Sequence, residues 1–126
     1  MKINSKNIKI SEFFIPDTDN HLDFIRSHTN LEYLVLRNND YELWPLVSLK
    51  KLKELKLCDN KQSLDPIKYL KNLEKLYLSN NRMDLTPLNN LPNLIELTLS
   101  SNHSDTKVIT ELINRIKKNG GIVNGI

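Results

Sequence analysis

The chain has 126 residues, 39% hydrophobic and 26% charged, the proportions of a globular domain rather than of a disordered tail. Eighteen basic and fifteen acidic side chains leave a net charge of +3, too mild an excess to mark a nucleic-acid or membrane ligand. No run reaches the ~18 apolar residues that a membrane span needs, and the single cysteine, Cys58, excludes an internal disulfide.

The opening "MKINSKNIKISEFF" lacks the apolar segment of a secretory signal, so a cytoplasmic location is expected. Ile10, Phe13, Ile15, Thr18, Leu22 and Ile25 stand 21 residues before Leu31, Leu34, Leu36, Asn39, Leu43 and Leu46. Residues 1–30 therefore read as a degenerate first repeat that also caps the N-terminal end. Thr18 in the asparagine place and His28 in the last leucine place depart from the pattern.

Three full units follow at 31–51, 52–72 and 73–93, opening on "LEYLVLRNN", "LKELKLCDN" and "LEKLYLSNN". A fourth opening, "LIELTLSSN", starts the last unit at residue 94. In each, the L-x-L segment alternates apolar and polar residues, as a half-buried strand does. Pro45, Pro66 and Pro87 then stop the strand, and the short L-x-x-L after them suits a 3₁₀ turn better than a long helix. Such a unit cannot bury its leucines alone, so neighbours must stack on both sides.

In the last unit the turn segment changes character, because "DTKVITELINRIKKNG" places Val108, Ile109, Leu112, Ile113 and Ile116 at helical spacing. Ser104 or Asp105 can cap this helix, Glu111 and Arg115 are spaced to pair, and Gly120 suits the position just past its end. The closing "GIVNG" is expected to add a short parallel edge strand. The whole chain, 1–126, is then one domain: an α/β solenoid of 21-residue repeats with a parallel sheet on one side, 3₁₀ turns on the other, and a capping helix.

The phrase L-x-x-L-x-L-x-x-N resembles the leucine-rich repeat family, and the P-L-x-x-L return arm resembles its short, bacterial, internalin-like class. The resemblance covers roughly residues 10–126 and implies a ladder of buried asparagines at Asn39, Asn60, Asn81 and Asn102, whose amides satisfy backbone groups where the chain leaves each strand. It also implies an arc with the strands on its inner, concave face, where members of the family commonly bind proteins.

The pleat gives the residues that face away from the leucines. They are Glu12, Phe14 and Pro16; Tyr33, Val35 and Arg37; Glu54, Lys56 and Cys58; Lys75, Tyr77 and Ser79; Glu96, Thr98 and Ser100. Phe14, Tyr33, Val35 and Tyr77 with Arg37 form an aromatic and arginine group of the kind that dominates protein interfaces. The expected partner-binding set is Phe14, Tyr33, Val35, Arg37, Lys56, Cys58, Lys75, Tyr77 and Thr98. The plainer reading is that these pairs only stabilise the sheet, by roughly 0.2–1 kcal/mol each. Trp44 offers a second contact on the turn side or a cover over the N-terminal cap.

Chemistry is not expected. His21, His28 and His103 carry no metal-ligand spacing, and no nucleophile elbow or glycine-rich phosphate loop is present, so neither catalytic residues nor a metal or cofactor are assigned. Arg37 and Lys56 near Cys58 could activate its thiol, but a small contact residue is the simpler reading. Lys50, Lys51, Lys53 and Lys56, then Lys68, Lys71 and Lys75, are interrupted by Glu54, Glu74 and Glu96, which favours a solvated surface over a phosphate track. The functional expectation is a monomeric protein-binding module without catalysis, masking a partner as an immunity or antitoxin-like inhibitor masks its cognate toxin. Its rivals are an adaptor that bridges two proteins and a weak nucleic-acid binder, the second separable by its steep salt dependence.

Overall fold

The computed structural model describes residues 7–10, 22–37, 42–80, 82–101 and 104–125. Six parallel strands form one sheet in chain order: β1 (Asn7–Ile10), β2 (Tyr33–Arg37), β3 (Glu54–Cys58), β4 (Lys75–Ser79), β5 (Glu96–Ser100) and β6 (Ile122–Asn124). From β2 to β5 the register repeats without slippage. Leu34, Leu55, Leu76 and Leu97 stand side by side, as do Leu36, Leu57, Leu78 and Leu99. These leucines are buried, together with the Leu31, Leu43, Leu46 and Leu49 types of each repeat. Each side chain so buried contributes roughly 1.5–3 kcal/mol, and only because the next repeat covers it.

Opposite the strands run 3₁₀ turns at Trp44–Ser48, Asp65–Tyr69 and Thr86–Asn90. Pro45, Pro66 and Pro87 sit in their first turn, where a missing N–H costs nothing and a fixed φ starts the turn. Leu46 N–H then donates to the Leu43 carbonyl at 2.9 Å, and Ile67 and Leu88 repeat that bond one and two units on. Between strand and turn, Asp59, Asn80 and Ser101 adopt positive φ of 56°, 56° and 49°. Aspartate and asparagine tolerate this left-handed conformation better than most residues. It reverses the chain while Asp59 N–H and Asn80 N–H still reach the Ser79 and Ser100 carbonyls of the following strands.

Asn60 follows at once. It is 4% exposed, donates its amide to the Gln62 carbonyl at 2.9 Å and accepts from Gln62 N–H at 3.4 Å. Asn39, Asn81 and Asn102 lie outside the described residues. A second set of amides bridges the return arms on the surface: Asn72 donates to the Lys50 carbonyl at 2.7 Å and Asn93 to the Lys71 carbonyl at 2.8 Å. In the same register place Lys51 reaches Asn30 Oδ1 at 3.1 Å.

The first unit corrects the sequence reading. Its turn, Asp23–Ser27, keeps the 21-residue step and buries Leu22 and Ile25. Its strand does not: Ile8 pairs with Leu34 and Ile10 with Leu36, 26 residues apart. The register place opposite Val35 is therefore held by Lys9, where Phe14 was expected. Asn7–Ile10 alternates polar and apolar residues and contains no proline, whereas the segment expected to pair, 12–16, includes Pro16, which has no N–H to give a ladder. Glu12, Phe14, Pro16 and Thr18 lie outside the described residues.

At the other end Asp105 caps as expected, accepting from Lys107 N–H at 2.9 Å. The first turn, Thr106–Ile109, is 3₁₀ and runs into α1 (Thr110–Lys118). Ile109, Leu112, Ile113 and Ile116 are buried, but Val108 is exposed, because three residues per turn rotate it off the apolar face. Arg115 does not pair with Glu111; it donates to the Leu91 carbonyl at 2.6 Å and so ties the helix to the preceding repeat. Gly120 ends the helix at a φ of 79°. Gly121 passes so close to Ile95 that a Cβ would collide with its carbonyl oxygen, and β6 then pairs with β5 in parallel. No helix of the described residues is long and apolar enough to cross a membrane.

Candidate functional site

Residues between the strand leucines face away from the core and form three rows across the sheet. The first row runs Tyr33, Glu54, Lys75, Glu96 and Ile122; the second Val35, Lys56, Tyr77, Thr98 and Asn124; the third Arg37, Cys58, Ser79 and Ser100. The regular backbone thus presents a different side chain from every repeat. Tyr33, Lys56, Cys58, Tyr77 and Thr98 are half-buried, while Arg37 and Lys75 are exposed.

Lys56 occupies the centre. Its Nζ lies 5.8 Å from the centroid of the Tyr33 ring and 6.0 Å from that of Tyr77, within the reach of a cation–π contact on either side. Lys56, Lys75 and Tyr77 with Glu54, Glu96 and Thr98 line a shallow depression of about 150 Å³. Asn124 of β6 donates to the Thr98 hydroxyl at 3.2 Å and closes the row on that side.

Val35 requires a correction. Expected to be exposed, it is 2% exposed and stands apart from the leucine core. Tyr33 and Arg37 flank it on the same face of its own strand, and Lys9 and Lys56 hold the register places on either side. Six of the expected residues, Tyr33, Arg37, Lys56, Cys58, Lys75 and Tyr77, are brought onto adjoining strands, and Thr98 extends the group onto β5. Glu54 and Glu96, absent from that set, share the depression. Their signal in the sequence is their place two residues before Lys56 and Thr98 on the same face.

The family profile described as Leucine Rich Repeat matches residues 72–94. Among solved structures, an internalin C2 from Listeria monocytogenes is similar, with 32% sequence identity and a TM-score of 0.61 over 70% of this chain and 41% of the other. The chain is a leucine-rich repeat protein of the internalin-like class. An internalin F from the same organism aligns over 70% of this chain and 34% of the other, at 22% identity and a TM-score of 0.49. This leucine-rich repeat chain thus spans less than half the length of either internalin. Among curated protein sequences nothing matches it.

The rows described above lie on the concave face of the repeat fold. On the turn side Trp44 is 41% exposed and Tyr69 43%, with ring centroids 6.1 Å apart and planes tilted by 41°. Trp44 therefore packs against the following repeat. Beside it a dimple of about 80 Å³ is lined by Glu42, Leu43, Gln62, Ser63 and Pro66. Lys68 lies 5.3 Å from the Tyr69 centroid and 3.2 Å from Asp65. The hydrogen bond to Asp65, and then its charge, hold the Lys68 ammonium above its ordinary pKa. Among the described residues no cluster of histidine, cysteine and carboxylate side chains could hold a metal ion.

Proposed function

We propose that this leucine-rich repeat chain is a protein-binding module that acts by covering a surface of its partner with the concave face. The observation that carries the reading is the contrast within each strand. Leucines repeat on the core side, while the opposite side places Tyr33, Arg37, Lys56 and Tyr77 together. Tyrosine and arginine are frequent high-energy residues of interfaces, and a rigid sheet holds them without the entropy that a loop would lose on binding. Masking is the proposed output, as in an immunity or antitoxin-like inhibitor, and the reading includes no catalytic step and a cytoplasmic site of action.

Affinity capture from the native cell tests it, comparing wild type with a folded Tyr33→Ala, Arg37→Glu, Tyr77→Ala variant and with Trp44→Ser. One protein retained by wild type and Trp44→Ser but lost by the triple variant supports the concave face. Retention by the triple variant and loss with Trp44→Ser overturns it. A second reading, an adaptor joining two proteins, is favoured by the exposed Trp44 and Tyr69 pair on the far side of the solenoid. It requires two proteins, each lost with a different variant.

A further inference from the structure

The charges of the concave face are unequally compensated from row to row. In the first row Lys75 stands between Glu54 and Glu96, so charge alternates along neighbouring strands. From β2 to β6 the second row carries one charge, Lys56, beside Val35 and Tyr77, with Lys9 of β1 in the register place on the other side of Val35, and the third carries one, Arg37, beside Cys58. Ion pairs among the described residues join Arg26 to Asp23 and Lys68 to Asp65, both on the turn side, and none reaches Lys56 or Arg37. Asp59, just past β3, directs its carboxylate to the Asn80 amide.

Lys56 is therefore a half-buried lysine whose ammonium lies near the Tyr33 and Tyr77 rings and has no carboxylate partner among the described residues. Arg37 is its diagonal neighbour, on the order of 7 Å away across the strands. Aromatic walls favour a cation but leave its N–H groups without acceptors of comparable strength. We infer that the concave face receives an acidic side chain of a protein partner at Lys56, with Arg37 beside it and the two tyrosines as walls. The inference rests on the concave-face reading and names its chemistry. Glu54 and Glu96 on the same face disfavour a continuous polyanion such as a nucleic-acid backbone, but they admit a single carboxylate flanked by basic or neutral residues.

A displayed library of random peptides, selected against the full chain, tests this without knowledge of the natural partner. Wild type is expected to enrich peptides sharing one aspartate or glutamate position. The leading peptide should bind Lys56→Met roughly tenfold or more weakly, bind Lys56→Glu more weakly still, and regain part of its affinity with Lys56→Arg. Thermal melting and circular dichroism establish that each variant is folded. Enrichment without a shared acid, equal affinity for Lys56→Met, or no enrichment at all overturns the inference. Peptides indifferent to every concave substitution but lost with Trp44→Ser overturn the concave-face reading itself. Displacement of the peptide by an unstructured oligonucleotide at low salt, with equal loss in Lys56→Met, would reassign the cation to nucleic acid.

Discussion

The two faces of the sheet are built from the same five-residue strands and obey opposite rules. Towards the core, the leucine places hold leucine in every repeat from β2 to β5, and each is buried. Towards the concave side, one row changes from valine to lysine, tyrosine and threonine over the same four strands. Packing explains uniformity on the first face, since each leucine must fit the identical leucine above and below. Nothing in the packing of a solenoid calls for an ammonium between two tyrosine rings on the second. The core face makes the fold, and the concave face carries what is particular to this chain.

Substitutions should separate the two faces sharply. Leu76→Ala, in the middle of the stack, is expected to cost about 2–5 kcal/mol in denaturant unfolding, with any loss of binding explained by loss of fold. Asn60→Ala removes both bonds to the Gln62 backbone and should cost about 1–3 kcal/mol by the same measurement. The surface amide Asn72, which spans two return arms, should matter less, about 0.5–1.5 kcal/mol on replacement by alanine. Lys56→Met should change stability by less than about 1 kcal/mol while weakening partner binding, the reverse of the leucine result.

The smallest effect concerns pH. The Thr86 hydroxyl, and then its backbone N–H, hold the Asp84 carboxyl below its ordinary pKa of 3.8. A depressed folded pKa contributes stability above the unfolded value, and that contribution is lost as pH falls through the folded one. Asp84 therefore favours the fold at neutral pH and ceases to do so in acid. In Thr86→Val the carboxyl should titrate closer to 3.8 in an NMR pH series.

Most of the fold was legible because the signal recurs. Leu34, Leu55, Leu76 and Leu97 each confirm the others' register, and three prolines mark the turns. Legibility failed where a unit lacks copies. In the first unit Phe13 and Ile15 alternate as well as Ile8 and Ile10 do, so the pattern could not show that the strand lies five residues nearer the N-terminus. Val108 was misplaced because an α and a 3₁₀ start differ by a fraction of a residue per turn. On the concave face the strand alternation identified which residues project, but not that Val35 is buried or that Lys56 settles between two rings. Trp44 meets Tyr69 at a separation of 25 rather than 21, a contact that a repeat alignment does not display.

The most direct comparison of the faces is lysine footprinting of the captured complex, read residue by residue by mass spectrometry after brief acylation. Protection of Lys56 and Lys75, with Lys50, Lys68 and Lys71 as reactive as in the free chain, is the outcome expected of concave-face binding. Protection of Lys68 beside Tyr69, with Lys56 and Lys75 unchanged, would place the partner on the turn side and contradict it.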